Sequence, residues 1–122
     1  MFIRFVVGGD AEHHRLLTGA VTEARLLRDL GELVAYESEL LEATYEWLNS
    51  YLPCPPFKSA GWSRNAVAWF KDSAAEPIHR MRELAVLLES HGLVVRMLRS
   101  DNPGRILYED TYQVVVDEWR TL

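Results

Sequence analysis

The sequence predicts an α+β fold: a two-layer sandwich in which helices cover one face of a mostly antiparallel sheet. Three observations carry this expectation. Residues 2–7 form a β-branched and aromatic run closed by Gly8-Gly9. The middle of the chain repeats apolar residues at three- and four-residue spacing, and beyond Gly92 the period shifts to short β-rich runs. A chain of 122 residues that is 48% hydrophobic buries enough surface to fold without metal or disulfide staples, so a single domain over 1–122 is expected.

The opening run reads as a strand. A first helix is expected from Asp10, placed as an N-cap, to Gly31, with Leu17, Val21, Ala24 and Leu27 along its apolar stripe. Gly31 would close it at the C′ position. A second helix over 36–51 carries Leu40, Leu41, Thr44 and Leu48 on one side and Glu39, Glu42 and Glu46 on the other. Pro53-Cys54-Pro55-Pro56 ends it, because proline lacks the N–H and restricts the residue before it. A loop to Ser63 and a short helix over 64–71 follow. Ser73 and Glu76 then match a capping box, with Pro77 in the first turn of a helix closed by His91-Gly92. In the last thirty residues, strands over 93–98, 106–109 and 112–118 are expected as a three-stranded antiparallel meander in the same sheet as the opening strand. Asn102-Pro103-Gly104-Arg105 would supply a type II turn between the first two.

Composition narrows the function classes. The net charge is −5, and the acidic excess lies in residues 1–61, with 5 basic against 9 acidic residues. General nucleic-acid binding needs the opposite sign, because phosphate neutralisation drives it. No apolar run exceeds that of residues 66–70, far short of the roughly 20 residues of a membrane span, and no secretory signal is expected. The single thiol, Cys54, has no intrachain partner, which suits a reducing cytoplasm. Because residues 94, 95, 97 and 98 are apolar on both sides of their strand, the outer sheet face looks too apolar for water, and a homodimer through it is one expectation.

Four groups of residues are candidates for chemistry. Asp10, His13 and His14 lie at helical spacing that permits a shared metal ion, although two adjacent histidines diverge by about 100° on a helix and no His-Glu-x-x-His pattern reinforces them. Metal binding is therefore the weaker reading there, no cofactor is expected, and Gly8-Gly9 is an ordinary strand-to-helix turn before it is an anion site. Arg80, Arg96 and Arg99, with His79, Arg82 and Arg105 nearby in sequence, would hold a phosphate or carboxylate if they converged. Cys54 lies between prolines without a local base. Among the four tryptophans, Trp47 and Trp69 fall on apolar stripes, whereas Trp62 and Trp119 are the more exposed pair; Trp62 with Arg64 has the composition of an interface hot spot.

No nucleophile, base and orienting group can be assembled from local spacing. The leading expectation is a small cytoplasmic, non-enzymatic module that binds a protein partner or an acidic small ligand. The rival is a small hydrolase or transferase for an anionic substrate, with Asp10 or His13 as acid–base group and Arg80, Arg96 and Arg99 as substrate clamp.

Overall fold

A computed structural model describes residues 1–8, 18–57, 59–63 and 66–118. The chain is α+β. β1 (Phe2–Val7) is followed by the two-residue β2 (Thr18–Gly19), α1 (Ala20–Asp29), α2 (Ala35–Tyr51), β3 (Ala66–Lys71), α3 (Ala75–Ser90), β4 (Val95–Ser100), β5 (Gly104–Glu109) and β6 (Gln113–Glu118). Every strand pairing is antiparallel.

Helices α2 and α3 form where the apolar spacing places them. Both α1 and α3 end as the glycines dictate. Gly31 and Gly92 sit at φ +74° and +81°, and the amides of Gly31 and Glu32, and of Gly92 and Leu93, fold back onto the last carbonyls of their helices in Schellman closures. Pro77 stands in the first turn of α3 as expected, but the cap is Ala74, not Ser73, and Glu76 instead accepts from Arg80 one turn on. The helix that was to begin at Asp10 starts only at Ala20; Asp10 and the rest of 9–17 lie outside the described residues.

Three expectations are corrected by the strands. Residues 66–71 form β3 and not a short helix: eight residues are too few for a period to discriminate, and the alternation of Val67 and Trp69 with Ala68 and Phe70 suits a pleated surface. The last three strands are not a meander. β5 and β6 pair as a hairpin, but β4 pairs with β1 along its whole length, from Phe2 opposite Ser100 to Val7 opposite Val95. Gly104 is the first residue of β5 and is not among the glycines at positive φ, so the Asn-Pro-Gly segment is a crossover and not a type II turn.

The strand order, β4-β1-β3-β6-β5 with β2 beside the end of β1, forces the sheet to curl. The four Cα steps from Ser100 to Gly104 reach at most about 15 Å. Crossing a flat sheet from β4 to β5 would take about 19 Å before any offset along the strands. The bend closes the outer face on itself, so that Phe2 and Leu98 of the β1–β4 ribbon pack against Trp69, Val114 and Val116. The apolar outer face seen in the sequence is thus covered in part by the chain's own strands. The larger core lies on the other face, where Ile3, Phe5 and Val7 meet Ala24 of α1, Leu41 of α2, and Met81, Leu84 and Leu88 of α3.

One buried polar contact ties the helices together. Glu37, 5% exposed in the first turn of α2, accepts the Val34 amide at 3.1 Å and receives the Nε2–H of His91, which caps α3, at 2.9 and 3.0 Å. The Val34 amide and the neighbouring His91 ring hold Glu37 below the ordinary glutamate range, against the opposing effect of burial.

Two measurements check this core. Leu84→Ala, at a fully buried site, lowers the unfolding free energy in urea by about 2–5 kcal/mol. Val86→Ala, two residues away and 68% exposed, changes it by less than about 0.5 kcal/mol. Because the folded pKa of Glu37 is depressed, its contribution is complete above the ordinary glutamate pKa and is lost as the pH falls through the lowered value. Glu37→Gln therefore lowers Tm at neutral pH, and the gap to the parent protein closes in acid. A gap that stays constant down to the acid limb contradicts the lowered pKa of the Glu37 carboxyl.

Candidate functional site

The residues expected to act are distributed as follows. Arg96 and Arg99 stand three positions apart on one strand and point to opposite sheet faces: Arg96 lies opposite Val6, on the face that carries Arg4 and Leu98, and Arg99 opposite Ile3, on the helix-facing side. Arg80 is engaged elsewhere, its guanidinium 4.7 Å from the centre of the Trp47 ring and 3.0 Å from Glu76. The three arginines therefore do not share one surface. His79 pairs with Glu83 at 2.8 Å, Arg105 lies 3.8 Å from Asp117, and Arg82 reaches the sulfur of Met97 at 3.9 Å. Asp10, His13, His14, Arg64 and Trp119 lie outside the described residues. Among the described residues no cluster of three or more His, Cys, Asp or Glu is placed to hold a metal.

What the fold does assemble is the loop after α2, docked on the β5–β6 hairpin. Proline restricts the backbone at 53, 55 and 56, and Pro55 is buried. Gln113, 3% exposed at the start of β6, donates its side-chain amide to the Pro53 carbonyl at 2.7 Å and to Asp110 at 3.1 Å. Asp110 also accepts the backbone amides of Tyr112 and Gln113 at 2.8 and 3.0 Å and the Tyr108 hydroxyl at 2.9 Å. Burial alone would raise the Asp110 pKa; the converging donors outweigh it and hold the carboxyl below the usual aspartate range. The same contact pushes the Tyr108 hydroxyl up, because its proton is held by the Asp110 carboxylate.

Trp62 completes this platform. Its ring meets Phe57 edge-on at 5.6 Å and Tyr108 at 6.3 Å, in the tilted arrangements that aromatic quadrupoles favour. Trp62 is half-buried, whereas Phe57 is 41% exposed at the loop tip and Ile106, on the neighbouring strand, 49%. Cys54 is exposed, and its thiol faces the carbonyl of Pro55. Sequence reasoning singled out Trp62 but not Tyr108, Asp110 and Gln113 of the hairpin on which the loop docks. The signal available was local: an aspartate two and three residues before the amides it accepts is a side-chain turn.

A second concavity, with a volume near 230 Å³, opens between β1 and β3, where the two strands part and α1 and α3 close the back. Arg4 contributes to its wall, together with Phe5, Phe70 and Met81.

No helix among the described residues is long and apolar enough to cross a membrane. Compared with protein-family models, with curated proteins and with solved structures, the chain matches none.

Gln113→Ala tests whether the network positions the loop. Removing the amide leaves the Pro53 carbonyl and Asp110 short of a donor, which lowers stability by about 1–3 kcal/mol. The indole of Trp62 becomes more accessible to acrylamide quenching, read in a background where the other tryptophans are phenylalanine. Unchanged quenching would show that the loop is held by other contacts.

Proposed function

We propose that the protein is a non-enzymatic binding module that engages a protein partner through the loop between α2 and β3, with Phe57 and Trp62 as its contact residues. One observation carries this reading. The polar network of Asp110 and Gln113 fixes the loop backbone from below, while the aromatic tip it supports remains accessible. Binding through such a tip orders few side chains, since the rings already constrain one another, and pre-paid order of this kind raises affinity. Tryptophan and its aromatic neighbours are also the residue types that dominate interface energetics. A cytoplasmic setting fits the single unpaired thiol, and the acidic net charge argues for a protein in preference to nucleic acid.

The hydrolase or transferase reading has less support, because its three arginines are divided between two sheet faces and the α2–α3 surface.

The test is affinity capture with the tagged chain, followed by identification and reconstitution of a purified partner. Phe57→Ala and Trp62→Ala each weaken the reconstituted complex by about 2 kcal/mol, roughly thirtyfold in Kd. Val86→Ala on α3 leaves it unchanged. Equal affinity for the loop variants and the parent protein removes the loop from the interface.

A further inference from the structure

The parting of β1 and β3 leaves one rung of the sheet unmade. The two strands pair at Phe2 with Lys71 and at Ile3 with Phe70, and β2 takes over from Val6, so the rung that would follow, Phe5 with Ala68, is missing. An antiparallel strand turns the N–H and C=O of alternate residues to opposite edges. Lys71 donates its amide to Tyr112, just before β6, and Asp72 donates to Met1, just before β1; the odd-numbered residues of β3 therefore face β6 and the even-numbered ones face β1. Ala68 thus presents both its N–H and its C=O to the gap, and among the described residues no turn or loop backbone bond reaches it. Ala66, the next residue facing that way, already donates its amide to the Ser63 carbonyl at 3.1 Å. Ala68 lines the 230 Å³ cavity together with the apolar side chains of Phe5, Phe70 and Met81, and Gly19 and Ala20 on its rim are too small to fill it.

We infer that this cavity binds a small uncharged cis-amide of the lactam type, whose adjacent carbonyl and N–H exchange two hydrogen bonds with the backbone of Ala68 while its apolar body lies against Phe5, Phe70 and Met81. Hydrogen-bond pattern, polarity and size select this class. A half-buried N–H and C=O side by side in an apolar wall call for an acceptor and a donor at once. A carboxylate supplies acceptors only, and its charge would be costly to desolvate there. An extended peptide adds to a sheet through several consecutive rungs, whereas the missing stretch is one rung long and is closed by β2. The space corresponds to roughly seven or eight waters at liquid density, below the range of drug-sized ligands.

Amide exchange and chemical shifts of the ¹⁵N-labelled chain read this pair directly. In the free protein the Ala68 amide exchanges faster than those of Val67 and Trp69, which the β3–β6 ladder holds. The bicyclic lactam isoquinolone gives saturable shifts centred on Phe5, Ala20 and Ala68 and slows exchange of the Ala68 amide. Its N-methyl derivative, which keeps the rings and the carbonyl but has no N–H, binds about tenfold or more weakly. Ala68→Pro removes the donor without removing a bond to β6 and abolishes binding, whereas Val86→Ala, on the exposed side of α3, binds as the parent protein does. Spectra of the unliganded variants establish that each is folded; should Ala68→Pro fail to fold, the N-methyl comparison and the exchange rates decide alone. The assignment is overturned by an Ala68 amide as protected as its neighbours in the free protein, by an absence of saturable shifts, by the N-methyl derivative equalling isoquinolone, or by undiminished binding in folded Ala68→Pro. Loss of partner binding in Trp62→Ala would leave these results untouched, so the two readings fail separately.

Discussion

A β-strand has two hydrogen-bonding edges, and β1 has three partners. β4 occupies one edge over the full six residues, so β3 and β2 must divide the other, each taking one end. The architecture follows from this division. β3 meets β1 at Phe2 and Ile3 and then departs, which opens the cavity beside Arg4 and turns the β3–β6–β5 half of the sheet away from the β1–β4 ribbon. That turn in turn lets Ser100 reach Gly104 within a short crossover and brings Leu98 and Phe2 over Val114 and Val116. The sheet therefore encloses a small second core without a second layer of helices. Trp69 sits in that core with its indole N–H as the one buried side-chain polar atom among the described residues that lacks a partner.

Local chemistry made much of this legible before any coordinates. The opening strand, α2, α3, both glycine closures and the β5–β6 hairpin follow from short-range periodicity and from residues that permit only certain backbone angles. Contacts over long separations were not legible. Pairing β4 with β1 joins residues 88 to 98 positions apart, and a short connection such as 101–103 ordinarily implies a hairpin. Glu37 and His91 are 54 residues apart and Gln113 and Pro53 are 60 apart, so neither pair leaves a mark in any local window. Trp62 stood out because a tryptophan in a proline-bounded loop is unusual in itself. Its supporting tyrosine, aspartate and glutamine are ordinary residues whose value arises only from where the hairpin places them.

Electrostatics follows the same division between local and distant. The exposed pairs Arg80–Glu76 and Arg28–Glu42 neutralise charge on the helical surface and individually contribute little to stability. The sheet edges use charge and irregularity differently. β4 presents Arg96 and Arg99 along its strand, and β5 carries a bulge between Ile106 and Tyr108; both features discourage another chain from adding to an edge.

The central position of the first strand also has a consequence for synthesis. β1 leaves the ribosome before any of its partners exist, and the one that pairs along its entire length is complete only when Ser100 has emerged. Until then β2 and β3 can take only the two ends of one edge, and the other edge of these six apolar-rich residues stays open. Acquisition of the native state is thus gated by late, distant pairing, a topology that folds slowly and keeps an apolar strand edge open while it does.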